Sequence, residues 1–375
     1  MYRVGVIGAG QLARMMQVPA IAMGVELKVF AEAENASAAL SQTKVGDYTD
    51  FAQLSEFAKT VDVITFDHEH VPTALLEKLE QQGNHVRPSP KALIHAQNKL
   101  VMRQKLTELG IAQPSWAAVD SAAAIEEFLL THGPEIVVKT PIGGYDGKGV
   151  RVISAVAEIQ DWLTNIADFG GKLLCEQKVN FSRELAQLSA RSASGEFASW
   201  PTVETRQVGG VCSEVIAPAQ GVDQISIQDL ARKISTGLGV VGMMAVELFE
   251  DQSGQILVNE LAMRPHNSGH FSIEGSITSQ FEQHLRAVLD LPLGNTKMTS
   301  ACSVMANLLG LDETNDFVSS YQSAMASYPN VKFHSYGKSP RAGRKMGHLT
   351  VLGTDAADCL SQVQGARAAL YGQGA

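Results

Sequence analysis

The chain has 375 residues, 45% of them hydrophobic, and a formal charge of −9 from 30 Lys and Arg against 39 Asp and Glu. That length predicts two or three domains, and the acidic balance argues against a broad nucleic-acid or membrane-binding surface while leaving room for a local basic pocket. Four cysteines without C-x-x-C pairing point to neither a zinc site nor a disulfide framework; with no apolar run near the roughly 20 residues of a membrane span, a cytoplasmic protein with small-molecule partners is expected.

The amino terminus, "VGVIGAGQLARMM", reads as a buried strand, a tight turn at Gly8-Ala9-Gly10 and a helix from Gln11. With Ala13 as the third small residue and Glu32 ending the next strand, it matches a dinucleotide fingerprint, and taken alone suggests a nicotinamide or flavin enzyme. The first 90 residues alternate strand and helix, which predicts a parallel sheet with ligands at the carboxyl ends of its strands. After "RPSP", one long helix is expected over 91–110, closed by Gly110. From Pro114 the chain reads as a short lobe: strand "SWAAV", a helix, strand "EIVVKTP", the loop "IGGYDGKG", strand "VRVIS", a helix and strand "KLLCEQKV". Stretches 183–200 and 207–217 look antiparallel, and two strands flank "EDQSGQ" as a hairpin. The last 75 residues add the strands "SVMANLLG", "VKFHSYG" and "GHLTVLG" around the basic loop "KSPRAGRK".

Five places carry chemistry. Lys139 ends an apolar strand before Gly143, Gly144, Gly147 and Gly149, the makings of a phosphate clamp; Ile142 rules out a Walker A pattern, and a lysine in such a strand needs an anionic partner. If Glu247 faces Val258 across the hairpin, Glu260 lies diagonally on the same face, about 5–7 Å away. Two such carboxylates call for a cation between them, and magnesium with substrate phosphates is the economical choice; a one-residue slip would instead send one glutamate to solvent. "RPHNSGH" supplies Arg264, His266, Asn267 and His270, but Pro265 and Gly269 argue against a helical zinc site. In "FDHEH", alternation puts His68 and His70 on one face and Glu69 on the other, at the carboxyl end of a strand, which favours Glu69 as the functional residue. Lys338, Arg341, Arg344 and Lys345 form a candidate phosphate grip.

Together, "GAGQLARM", "VVKTPIGGYDGKG", "EQKV" with Glu184, the pair Glu247 and Glu260, "RPHNSGH" and "YGK…GRKMGH" resemble the 5-(carboxyamino)imidazole ribonucleotide synthases of purine biosynthesis, in order across nearly the whole chain. The resemblance implies a mixed α/β and α+β ATP-grasp fold: an α/β pre-ATP-grasp domain at 1–96, an ATP-grasp domain at 97–290 with a lid lobe near 115–179, and a β-rich domain at 291–375. It implies a ligase that uses ATP, magnesium and bicarbonate to carboxylate the exocyclic amine of 5-aminoimidazole ribonucleotide, commonly as a homodimer, with no nucleic-acid or membrane partner. ATP would meet Lys99, Lys139, the loop Gly144, Tyr145, Asp146, Gly147, Lys148, Gly149 and Val150, the adenine hinge Glu176, Gln177, Lys178 and Val179, the ribose-binding Glu184, and Asn259. Magnesium would sit on Glu247 and Glu260. The ribonucleotide would meet Gln11, Leu12, Glu69, Tyr145, Asp146, Lys148, Lys338, Arg344 and Lys345; bicarbonate would meet Arg264, His266 and Asn267; and Asp146 would take the amine's proton.

The chain departs from the family pattern at "QNK" before Leu100, at Met263 where proline is usual, and at "FDHEH". Three rivals remain: a formate-dependent glycinamide ribonucleotide transformylase or another ATP-grasp ligase, a nicotinamide oxidoreductase, and a non-catalytic nucleotide-binding module.

Overall fold

The computed structural model describes residues 1–144, 149–313 and 317–372. Its first sheet is parallel, with β1 (Arg3–Ile7), β2 (Glu26–Ala31), β3 (Gln42–Val45) and β4 (Val63–Phe66) in the order β3-β2-β1-β4. The continuous apolar runs of β1 and β4 are buried on both faces, as a sheet covered by crossover helices requires. Val4 and Val6 pack with α1 (Gln11–Met23) and the later helix Gln280–Val288, while Ile7, Ile64 and Phe66 pack with α2 (Phe51–Ala58) and α3 (Thr73–Gln81). Sequence reading passed over β3, whose sequence Gln42-Thr43-Lys44-Val45 offers a single apolar residue and so no apolar run or alternation.

The long helix expected over 91–110 is two helices, α4 (Pro90–Gln97) and α5 (Lys99–Glu108). Asn98 breaks it: the residue is extended, with φ −129° and ψ 109°, and its side chain accepts hydrogen bonds from the Leu100 and Val101 amides at 3.0 and 3.2 Å. The break starts α5 at Lys99, whose amide donates to the Pro141 carbonyl beside the glycine loop. Gly110 closes α5 in the left-handed region, φ +62°, as expected. Removing the cap by Asn98→Ala is expected to lower unfolding free energy by about 1 kcal/mol; an unchanged thermal midpoint would show that the cap contributes nothing.

The second sheet, where a lid lobe is expected and hence called the lid sheet, is antiparallel, with β5 (Trp116–Val119), β6 (Ile136–Lys139), β7 (Val150–Ile153) and β8 (Leu173–Gln177) in the order β5-β8-β6-β7. The third sheet contains β9 (Phe181–Arg191), β10 (Phe197–Ser199), β11 (Val203–Val208), β12 (Val211–Ala217), β13 (Gly242–Asp251), β14 (Ile256–Ala262), β15 (Cys302–Leu309), β16 (Lys332–Ser335) and β17 (Lys345–Gly353). It crosses residue 291 without interruption, because β12 pairs with β15. Ladder hydrogen bonds thus tie the last 75 residues to the centre of the molecule and carry Lys345, at the start of β17, back toward the hairpin β13–β14. No helix among the described residues is long and apolar enough to cross a membrane.

Candidate active site

The hairpin differs from expectation in register. Val246 pairs with Leu261 and Glu247 with Glu260, but Leu248 pairs with Val258, so Asn259 is an extra, unpaired residue on β14. It forms a β-bulge, a feature of backbone conformation that residue alternation does not reveal. Had the register from the turn continued unchanged, Glu247 would face Asn259 and Glu260 would fall on the other side of the sheet. The bulge instead sets the two glutamates directly opposite one another. Each already has a basic partner: His266 Nε2 lies 3.1 Å from Glu247, and the Lys99 and Lys139 ammonium groups lie 3.3 and 3.9 Å from Glu260. Burial pushes the Glu247 carboxyl up, but the hydrogen bond and charge of His266 hold it below its usual value.

Lys139, at the end of β6, is 6% exposed. Its ammonium lies 2.8 Å from Glu176 Oε2 and 3.1 Å from Asn259 Oδ1, which supplies the partners that an apolar strand denies it. Glu176, expected at the adenine hinge, turns its side chain away from solvent to hold Lys139 and the Arg103 Nε at 2.6 Å. Burial opposes its ionisation, yet Lys139 and Arg103 bring the carboxyl down to about 2. Sequence reading missed Arg103. Its place beside Met102 and Leu106 on the buried stripe of α5 was the available signal.

Two cavities meet at the hairpin. The smaller, about 520 Å³, lies between the lid sheet and the third sheet; Val137, Val152 and Phe249 give it apolar walls, and Lys139, Val150, Gln177, Lys178, Val179, Glu184 and Asn259 also line it. Lys178 is additionally paired with Glu135 at 2.6 Å. Burial, reinforced by the nearby Glu247 charge, pushes the Glu184 carboxyl up to about 7. The free protein therefore protonates Glu184 below that pH and ionises it above. If sugar hydroxyls donate to the ionised form, nucleotide affinity at fixed magnesium should rise as pH increases through about 7. Glu184→Gln should flatten that rise in calorimetric titrations, and an identical profile in the variant would refute the role.

The larger cavity, about 680 Å³, is lined by Gln11, Leu12, Glu69, Lys99, Gly143, Gly144, Arg264 and His270 among others. Glu247, Glu260, His266, Asn267 and Lys345 line both cavities, so the carboxylate pair stands at their junction. Glu69 accepts from the Met263 amide at 2.9 Å and from Arg264 Nε at 2.8 Å. The first of these bonds needs an N–H, which the proline usual at that position lacks. Strand β4 ends at Phe66, so alternation does not govern the next residues; His68 and His70 nevertheless stack, with ring centroids 5.2 Å apart. Asn267 exchanges amide hydrogen bonds with Asn307 of β15, at 3.0 and 2.6 Å, another partner that sequence spacing did not indicate.

The opening glycines serve the chain's own packing. The Asp67 carboxylate accepts from the Gly10 and Ala13 amides at 3.0 and 2.8 Å, so a side-chain acid occupies the helix start that a pyrophosphate would need. A Cβ at Gly10 would collide with Asp67, and one at Gly8, where φ is +95°, would come within 2.6 Å of His68. That arrangement contradicts the dinucleotide reading; Gln11 and Leu12 still face the larger cavity. Of the basic loop, Lys345 reaches both cavities and Lys338 donates to the Gln11 side chain. Arg344 instead donates to the Ser339 carbonyl at 3.0 Å and lines neither cavity. Gly149, with φ +72°, packs against Thr140, whose amide donates to its carbonyl at 2.9 Å. Tyr145, Asp146, Gly147 and Lys148 lie outside the described residues.

Residues 1–97 match the ribonucleotide synthetase preATP-grasp domain, 104–281 the ATP-grasp domain, and 303–362 the phosphoribosylaminoimidazole carboxylase C-terminal domain. The N5-carboxyaminoimidazole ribonucleotide synthases of Mycobacterium tuberculosis and Corynebacterium ammoniagenes are each 46% identical to this chain, over 368 and 362 residues. Those alignments cover 96% and 94% of this chain and 86% and 88% of the relatives. The crystal structure of the Aspergillus clavatus N5-carboxyaminoimidazole synthase in complex with ADP and 5-aminoimidazole ribonucleotide is similar at TM-score 0.88 and 30% identity, over 99% of this chain and 98% of that one. Three domain matches in the right order, identity along the whole length, and a carboxylate hairpin between two cavities agree: the chain belongs to the N5-carboxyaminoimidazole ribonucleotide synthase family and is an ATP-dependent ligase of the ATP-grasp fold.

Proposed function

We propose that the protein carboxylates the exocyclic amine of 5-aminoimidazole ribonucleotide at the expense of ATP and bicarbonate, releasing ADP and phosphate in purine biosynthesis. The observation that carries this reading is the junction: one carboxylate pair shared by a nucleotide-sized cavity with apolar walls and a second, more polar cavity. ATP would lie in the smaller cavity, its base against Phe249 and the backbone of 176–179, its ribose at Glu184 and its phosphates toward Lys139 and Lys99. The ribonucleotide would fill the larger cavity near Gln11, Leu12, Glu69 and Lys345.

Bicarbonate held by Arg264, His266 and Asn267 attacks the terminal phosphorus and ADP leaves. The resulting carboxyphosphate breaks down to carbon dioxide and phosphate beside the amine, whose nitrogen forms the new bond to carbon and gives its proton to the Asp146 carboxylate. Arg264 and His266 counter the charge that develops on the bicarbonate oxygens. Glu247 and Glu260 suit a hard divalent cation, since two carboxylates, both oxygen donors, oppose each other on the cavity wall. No group of three His, Cys, Asp or Glu forms a metal cage among the described residues, so substrate phosphate oxygens would complete the coordination. Magnesium bound there would neutralise charge on the transferred phosphoryl group. Four free thiols suit a reducing cytoplasm, and the family resemblance supports a homodimer, which sedimentation would test.

Phosphate release from ATP decides the reading. Release that requires both 5-aminoimidazole ribonucleotide and bicarbonate supports it; release that requires formate and glycinamide ribonucleotide refutes it in favour of the transformylase.

A further inference from the structure

Arg103 lines neither cavity, yet its side chain is fully buried. Its guanidinium spends its donors on two separate parts of the site. Nη1 and Nη2 donate to the carbonyls of Val258 and Asn259, at 2.8 and 2.7 Å, the two residues at which the β14 register shifts. Nε donates to Glu176 Oε1 at 2.6 Å, and the other oxygen of that carboxylate holds Lys139. Nη1 also reaches Gln113 Oε1 at 3.3 Å. Arg103 thus grips the bulge that brings Glu260 opposite Glu247, and through Glu176 it holds the lysine at the end of β6.

We infer that Arg103 is the positioning residue that sets the spacing between the carboxylate pair and the phosphate-facing Lys139, coupling the lid sheet to the hairpin without touching nucleotide. The planar fork suits this task because three acceptors on two elements, two carbonyls and a carboxylate, must be met at fixed angles. A lysine offers a single point charge and cannot hold all three in that geometry. The bulge has no partner strand residue of its own at Asn259, so the guanidinium is what fixes its carbonyls. With that grip removed, β14 can relax toward the unbulged register, which turns Glu260 away from the cavity. Lys139 loses its anchor at the same time, since Glu176 is then held from one side only.

This inference rests on the nucleotide reading above. The test compares wild type, Arg103→Lys and Arg103→Met, binding a non-hydrolysable ATP analogue by calorimetry at several magnesium concentrations, alongside KM for each substrate and thermal unfolding. Folded Arg103→Met should bind the analogue roughly tenfold or more weakly and need correspondingly more magnesium, as for loss of a group behind metal ligands. Its KM for the ribonucleotide should be unchanged, and Arg103→Lys should fall between. A purely structural role would lower thermal stability alone. Unchanged analogue affinity and magnesium dependence in a folded variant overturn the inference, and so does failure of both variants to fold, which would assign Arg103 to the fold as a whole. Absence of analogue binding by wild type would refute the nucleotide reading and this inference with it, whereas equal binding by wild type and Arg103→Met refutes this inference alone.

Discussion

Glu247→Gln combined with Glu260→Gln should lower kcat/KM by about 10³ or more, while the protein folds as before. Loss of magnesium's charge neutralisation at the phosphoryl group is worth several kcal/mol, and about 4 kcal/mol corresponds to three decades in rate. Glutamine keeps the shape and the strand pairing of Glu247 with Glu260, so the bulge and its ladder should survive. Both carboxylates are about one-third exposed. Their contacts with Lys99 and His266 are therefore screened, and the change in unfolding free energy should stay within about 1 kcal/mol. Activity and stability thus part company, which a simple folding defect cannot imitate. Steady-state phosphate release and thermal denaturation on the same preparation measure the two, and a double variant with near-normal turnover would rule out this hairpin as the metal site.

The second large effect is expected at Arg264. Its Nε is held 2.8 Å from Glu69, and Glu69 is also bound by the Met263 amide, so the guanidinium is aimed by a carboxylate that is itself fixed to the backbone. The Glu69 charge, with those of Asp67 and Glu247, outweighs burial and raises the Arg264 pKa, so the group carries its charge at any working pH. Removing one preorganised donor of this kind costs about 10²–10³ in rate, and Arg264→Ala should lose carboxylation by that factor. Nucleotide affinity should change little, because Arg264 lines the larger cavity and not the smaller one. Arg264→Lys should rescue only weakly, since Lys lacks the fork that could contact Glu69 and the proposed bicarbonate oxygen together. Normal carboxylation in Arg264→Ala, or an equal loss of ATP binding, would remove Arg264 from its proposed place.

Much of the architecture was legible because it rests on local rules. The alternating strands and helices of residues 1–90 predict a parallel sheet, and one is present as β3-β2-β1-β4. Gly110 takes the left-handed conformation that a helix end requires. Lys139, alone among apolar neighbours, announces a need for anions, and it has Glu176 and Glu260. Those features depend on side-chain period, on backbone freedom at a single residue, or on the cost of burying a charge, all of which a one-dimensional reading can weigh.

What failed to show in the sequence depends on pairs far apart in the chain. Asn98 reads as one polar residue in a helix until its amide acceptors, and the Pro141 carbonyl that takes the Lys99 amide, are in place. Asp67 is 54 residues from the Ala13 amide it caps, and Arg103 is 156 from the Asn259 carbonyl it grips. The sequence by itself determined the fold class, the hairpin strands and many of the residues that line the two cavities. Only the tertiary structure decided that Glu247 opposes Glu260 directly, that the start of α1 is filled by Asp67, and that the glutamates stand between two cavities. The reason is physical: a bulge shifts register without altering the apolar alternation that sequence reading relies on, and a hydrogen-bond partner supplied by another element leaves no periodic mark on the chain.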